Sequence, residues 1–495
     1  MKSSWSRRKV ALMGLPAFAL SGLFGLFPGR LSAEPAPIEE AWDVLVVGAG
    51  AAGFAAAIAA KEAGAKRVLL IEKAALAGGH MLVSSGMMNA LDPEGQKRMG
   101  RTDSAEHFFR DTFEGGGGLG NPALIELMVK ESPGILAWLK SIGVAFDSRI
   151  YEAYSGVYPR AHKTIRARSG LAYTERLLAR ARKLGVEIRY RTRAEALDLD
   201  GRIGVRGVEV LTPDGRRETL QTRSVVLATG GFGANLSMRS IWAPQIPIDL
   251  GTTYSPGRMN EDPATGDGIR MAEAAGGAVT GMEYILAIPF WGGRMLDYPG
   301  AEIFLTNDGV RFTDETAAWD TVFSDLIATG STEFWVVTDS RSVKGATFAT
   351  KMQQGLAASA ETLEGLADAM GVPLKRLERT FRLYNEAARS DSDPEFGRTR
   401  FLQDLSKPPY YFGRERFEVH YTCGGIAILP DARVKRGSEF SSDAIPGLYA
   451  AGETTGGLHG KFRLGGNGLL DAFVFGRIAG RNAARHANGL KTGNA

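Results

Sequence analysis

The sequence predicts an α/β fold built around a parallel sheet, and three observations carry the prediction. Asp43-Val44-Leu45-Val46-Val47 is a short apolar run that leads directly into Gly48-Ala49-Gly50-Ala51-Ala52-Gly53. An alanine-rich stretch, Phe54 to Ala63, is followed by a second apolar run, Arg67 to Ile71, that stops at Glu72. Far downstream, Val225-Val226-Leu227-Ala228-Thr229-Gly230-Gly231 and Ile445 to Glu453 repeat the pattern of an apolar run closing on a glycine turn.

Short apolar runs bounded by glycine suit strands buried on both faces. With the helix between them, the first two make the β–turn–α–β of a Rossmann-like dinucleotide site. Gly48 permits the tight turn, Gly50 lets the backbone approach a pyrophosphate, and Gly53 lets helix and strand pack closely. The helix N-terminus offers free N–H groups and a dipole that favour an anion. Glu72, about 20 residues beyond the glycines, is placed to accept hydrogen bonds from a ribose. The motif alone does not separate NAD from FAD. Gly78-Gly79-His80, Ser84-Ser85-Gly86-Met87-Met88-Asn89 and the two later turns do. Glycine turns so far apart in sequence, converging on one long ligand, select FAD.

A chain of 495 residues is too long for one simple core, and at roughly 100–200 residues each, two or three domains are expected. The formal charge of +4 comes from residues 1–33, which hold Lys2, Arg7, Arg8, Lys9 and Arg30 and no acid. The remainder carries 54 basic and 55 acidic residues, so no nucleic-acid partner is expected. Cys423 is the only cysteine; an intramolecular disulfide and a C-x-x-C-H haem attachment are both excluded. No metal site is expected.

Ser6-Arg7-Arg8-Lys9-Val10 carries a twin arginine before an apolar stretch broken by Gly14, Pro16, Gly22 and Gly25, and Leu31-Ser32-Ala33 offers a cleavage site. The stretch is short for a span of about 20 apolar residues. Residues 1–33 therefore read as a twin-arginine export signal. The mature protein is expected in the periplasm, without a stable membrane span.

The longer strings are similar to the fumarate reductase/succinate dehydrogenase flavoprotein family, and within it to soluble flavocytochrome-type fumarate reductases and urocanate reductases. The resemblance covers nearly all of the chain after residue 41. It rests on the glycine motifs, on Ala264-Thr265-Gly266-Asp267-Gly268 and on Arg311-Phe312-Thr313-Asp314-Glu315. Most specific is Gly452 to Gly460 continuing to Arg463-Leu464-Gly465-Gly466-Asn467.

The resemblance implies a Rossmann-like FAD-binding domain (41–276 and 421–485) interrupted by a smaller α+β capping domain (277–420). It implies an FAD site of Gly48, Gly50, Ala52, Gly53, Glu72, Lys73, Gly79, His80, Met81, Ser85, Gly86, Ala228, Thr229, Glu453, Gly468 and Leu469. His80 stands where the family usually has asparagine. It further implies that His420 and Arg463 hold a substrate carboxylate and stabilise charge developing on it. Arginine grips a carboxylate bidentately, and histidine adds a donor of adjustable charge. His459 reads as structural.

Three departures oppose fumarate itself. The family's arginine acid falls on Trp319, its proton relay near Met295 and Tyr298, and a second carboxylate-binding histidine on Ile288. Ile288, Trp319, Tyr298, Tyr254 and Trp291 are expected to line an apolar and aromatic pocket. Tyr254, Tyr298, Arg294 and Tyr421 remain as candidate proton donors. The expected activity is that of an FAD-dependent oxidoreductase acting on CH–CH bonds. It would reduce a small unsaturated carboxylic acid other than fumarate, with electrons from a separate periplasmic cytochrome c. A dehydrogenase of a ketosteroid-like or other non-acid substrate, and a non-catalytic electron carrier, are the alternatives. Arg160, Lys163, Arg166 and Arg168 form a basic run read as a solvated face. Residues 361–389 read as an amphipathic helical pair.

Overall fold

Four apolar runs form the centre of one sheet. In the computed structural model, Val44–Val47 pairs in parallel with Val68–Ile71 on one side and Val225–Leu227 on the other. Ala444–Ala450 extends the sheet beyond Val225–Leu227, and Glu187–Arg189 extends it beyond Val68–Ile71. Arg433–Lys435 closes one edge in antiparallel register. The structure describes residues 41–153, 157–165, 169–201, 204–255, 262–345 and 347–492. The export-type N-terminus, Arg166 and Arg168 lie outside them. No helix among the described residues is long and apolar enough to cross a membrane.

Helix Ala51–Glu62 is buried from Ala51 through Ala60, as expected of a helix apolar on all faces. It packs between the sheet and the long helix Asn467–Thr492, both of which belong to one continuous core. A three-stranded antiparallel sheet of Arg193–Asp200, Gly204–Leu211 and Arg217–Gln221 lies in the same part of the chain.

Residues in the expected cap build a second sheet from Ile285–Pro289, Tyr410–Thr422, Glu333–Thr338 and Ile303–Leu305. Helices Leu363–Met370 and Leu374–Ser390 form the amphipathic pair, and Leu366, Leu377, Phe381 and Tyr384 turn into a smaller core with Ile303, Leu305 and Val337. The strand Tyr410–Thr422 runs 13 residues and passes through the boundary expected at 420. Its first part pairs within the cap, and its end carries His420 and Tyr421 out to the cleft described below.

A buried ladder of ions crosses the cap. Arg311 meets Glu315 through two bonds of 2.8 Å and reaches Asp393 at 2.9 Å. Arg398 donates to Glu315 at 2.6 Å and to the Glu302 carbonyl at 3.1 Å. Glu302 in turn holds Arg294. The Arg311-to-Glu315 string therefore reads, in three dimensions, as a structural ion pair. Breaking such a pair leaves a buried charge uncompensated. Arg398→Met is expected to lower the unfolding free energy by about 3 kcal/mol; a thermal midpoint equal to wild type would refute this. The basic run corrects likewise: Arg160 is buried and ion-paired to Asp103 and Asp111 at 2.8 and 2.7 Å, because a guanidinium over Phe108 and Tyr158 needs those carboxylates once desolvated.

Candidate active site

The carboxyl ends of the central strands open into a cleft of about 960 Å³ that continues beneath the cap sheet. At Gly48 the backbone has φ +104°, a region favourable only to glycine. A Cβ on Gly53 would lie 1.7 Å from the Gly48 carbonyl oxygen, whereas a Cβ on Gly50 would meet nothing within 4 Å. Gly53 thus serves packing, and Gly50 leaves bare backbone facing the cleft. Gly50 also supplies no side-chain cap to helix Ala51–Glu62, and the first turn carries no acid. Its amide groups are left open to an anion.

Glu72 accepts hydrogen bonds from the Ala49 and Ala74 amides, each at 2.8 Å, which fixes its carboxylate on the cleft wall. Lys73 donates to Thr265 at 2.6 Å and Asp267 at 2.9 Å. Thr229 accepts from the Gly268 amide at 3.1 Å, and Glu453 from the Thr422 amide at 3.0 Å. Of the sixteen residues expected to bind FAD, all but Gly53 line the cleft. Bare backbone, an open helix N-terminus and an acid at the second strand fit a dinucleotide stretched along this cleft.

His80 lies in the same cleft with Nε2 2.7 Å from Asp262 and Nδ1 3.6 Å from Glu453. Burial alone would lower its pKa, but the hydrogen bonds and charges of the two carboxylates prevail and raise it to about 10. In the cofactor-free protein this makes stability depend on pH. The contribution is complete below the ordinary value of 6.5 and is lost as pH rises through about 10. His80→Asn should remove that part of the decline in thermal midpoint between those limits; an unchanged pH profile would contradict the charged assignment.

At the other end, Arg463 is buried, with its guanidinium 4.8 Å above the Tyr421 ring. Nη1 donates to the Leu464 carbonyl at 2.9 Å, Nε has no partner, and among the described residues Arg463 forms no ion pair. A buried cation without a counter-charge is costly. Beside it, the Nδ1 of His420 meets the Thr253 hydroxyl at 2.8 Å. Burial, then Arg463 and His80, push the His420 pKa well below its ordinary value. The ring is held neutral; either the Thr253 hydroxyl or Nδ1 can donate in this contact, and with the hydroxyl donating the ring proton sits on Nε2. Tyr421 presents its ring to Arg463 but gives its hydroxyl to Asp471 at 3.3 Å, which also faces His459 at 3.4 Å.

The far wall differs from the apolar and aromatic one expected. Ile288 and Tyr254 line the cleft, whereas Trp319 and Tyr298 do not. Trp319 is buried against Phe304 and Phe417, one layer beneath Arg294, whose guanidinium lies 5.1 Å above the indole. The Tyr298 hydroxyl accepts from the Val343 amide at 2.9 Å. Trp291 turns its indole N–H to Glu418 at 2.6 Å. Arg294 faces the cleft instead, held by Glu302 through Nε at 2.8 Å and through Nη2. Lys351 and Glu415 flank it: the Lys351 ammonium donates to the Arg294 carbonyl, and Glu415 accepts the Arg294 amide at 3.2 Å. Burial lowers the Lys351 pKa and raises those of Glu302 and Glu415. Sequence reasoning missed Glu302, Lys351 and Glu415. The one available signal was an acid opening the apolar run Glu302-Ile303-Phe304-Leu305.

The FAD binding domain family matches residues 43–469. Fumarate reductase (cytochrome) of Shewanella frigidimarina is 34% identical, over 90% of this chain and 77% of its own length. Urocanate reductase of Eggerthella lenta is also 34% identical, over 89% and 74%. Among solved structures, the open conformation of a flavocytochrome c3 fumarate reductase superposes with a TM-score of 0.74 at 32% identity, covering 90% of this chain and 79% of that one.

Proposed function

The chain belongs to the FAD binding domain family and is an FAD-dependent oxidoreductase acting on CH–CH bonds; from that premise we propose that it reduces the double bond of an unsaturated monocarboxylate. The observation that carries this reading is Arg463, a buried guanidinium with no ion pair among the described residues, beside the neutral ring of His420. A substrate carboxylate supplies the missing counter-charge, and Arg463 with the His420 N–H orients it. The same donors stabilise negative charge that moves onto the carboxylate as the β-carbon is reduced. Reduced FAD, when bound, would supply the hydride.

The α-carbon then takes a proton, which completes the CH–CH product. Arg294 faces the cleft and donates it, and the neutral guanidine left behind takes a proton back from solvent through the open cleft; Glu302 orients the guanidinium. Ile288 stands where a second histidine would grip a second carboxylate, so the substrate carries one: an acrylate-like or aryl, cinnamate-like acid. The relative named for urocanate, an acid with one carboxylate on its double bond, supports this choice. Electrons come from a separate periplasmic cytochrome c. In support, the single cysteine excludes covalent haem in this chain, residues 6–10 carry a twin arginine, and one relative is named for a cytochrome.

The test is anaerobic reoxidation of the reduced, FAD-loaded protein by fumarate, acrylate, methacrylate, crotonate, cinnamate and urocanate. Rapid reoxidation by a monocarboxylate is expected. Equal speed with fumarate would sink the single-carboxylate reading, and silence across the panel would sink the reductase itself.

A further inference from the structure

The His80 side chain, in the cofactor cleft, lies between two carboxylates and an aromatic ring. One ring nitrogen faces Asp262 at 2.7 Å and the other faces Glu453 at 3.6 Å. Asp262 is itself buried and fixed by the Ala264 amide at 2.7 Å. The imidazole stacks on Tyr254 with centroids 5.3 Å apart and planes 24° apart. This cluster is continuous with the carboxylate clamp. Tyr254 adjoins Thr253, which bonds His420, and Glu453 holds the Thr422 amide two residues beyond His420.

We propose that His80 is a fixed positive charge that raises the reduction potential of the bound FAD. A carboxylate facing each nitrogen, hydrogen-bonded at 2.7 Å on one side and in ion-pair range at 3.6 Å on the other, favours the doubly protonated ring and holds the cation in place. A cofactor ring placed to react with a substrate on Arg463 and His420 lies within its field, since the cluster adjoins the clamp through Tyr254 next to Thr253 and through Glu453 on the Thr422 amide. A nearby cation favours the electron-rich form of such a ring. The consequence is for electron uptake: a higher potential lets the enzyme fill from a weak donor. His80 is a positioning residue here, acting through charge and touching no substrate.

The inference rests on the clamp reading above, yet its test needs no substrate. The midpoint potential of FAD-loaded wild type, His80→Gln, His80→Asn and His80→Lys would be measured by equilibration with redox dyes at neutral pH. The two neutral variants should shift the oxidised-to-reduced balance at least tenfold toward oxidised, about 30 mV for a two-electron couple. His80→Lys should stay near wild type. Wild-type potentials in the neutral variants would overturn the inference, as would a lowered potential in His80→Lys. Loss of FAD from both neutral variants with full loading of His80→Lys would make His80 a retention residue and overturn it too. Failure of the acid panel sinks the reductase reading alone.

Discussion

Replacing Arg463 by alanine is expected to lower kcat/KM for the preferred acid by about a thousandfold, with FAD content unchanged. Truncating one member of a buried, hydrogen-bonded charge pair costs about 2–5 kcal/mol, and about 4 kcal/mol corresponds to that factor. Both KM and kcat should suffer, because the guanidinium holds the ground-state carboxylate and also meets the charge that grows on it. Arg463→Lys should fall between, keeping the charge and losing the fork. Substrate-free stability gives an independent readout. Among the described residues Arg463 has no ion pair, and its Nε is unpartnered. Burying it so is a cost to the folded state, so the alanine variant should melt no lower than wild type. Stability retained with activity lost marks a group held for binding rather than for packing. A variant that keeps its kcat/KM would remove the clamp from the site.

The parts of this design that were legible in the sequence are those fixed by the backbone. Gly48, Gly50 and Gly53 declare themselves because a tight turn, a close ligand and a close helix each forbid a side chain locally. The wider set of sixteen FAD residues came from the family resemblance; fifteen of them line one cleft, and the one that does not, Gly53, fills the third of these roles. What stayed hidden depends on side-chain direction. Counting from Glu315 places Trp319 at the family's acid position, but not in which layer. Its indole packs on Phe304 and Phe417, and Arg294, twenty-five positions earlier, covers it. The partners of His80 were equally invisible, since Asp262 arrives from 182 residues away and Glu453 from a different glycine turn. The strand Tyr410–Thr422 explains why His420 could be found by motif and not by domain: one strand serves both the cap sheet and the clamp.

Arg294→Gln should slow reduction of the acid by about 10²–10⁴-fold, the usual contribution of a positioned general acid, while leaving its dissociation constant for the oxidised enzyme nearly unchanged. Binding belongs to Arg463 and His420, and Arg294 acts only when the α-carbon needs a proton. The pH profile separates this assignment from its nearest rival. A guanidinium stays protonated well beyond pH 9, so the wild-type rate should be flat across the neutral and mildly alkaline range. Lys351 lies beside it with its pKa lowered by burial. Were Lys351 the donor, the rate would fall as pH rises through that lowered value, and Lys351→Gln would be as damaging as Arg294→Gln. Arg294→Lys should bring such an alkaline limb into an otherwise flat profile. Glu302→Gln should cost less than Arg294→Gln, because it loosens the orientation set through Nε and Nη2 without removing the proton. A pH-dependent wild type combined with a silent Arg294→Gln would return the proton to Lys351. Trp319 would then be a packing platform beneath an arginine that does no chemistry.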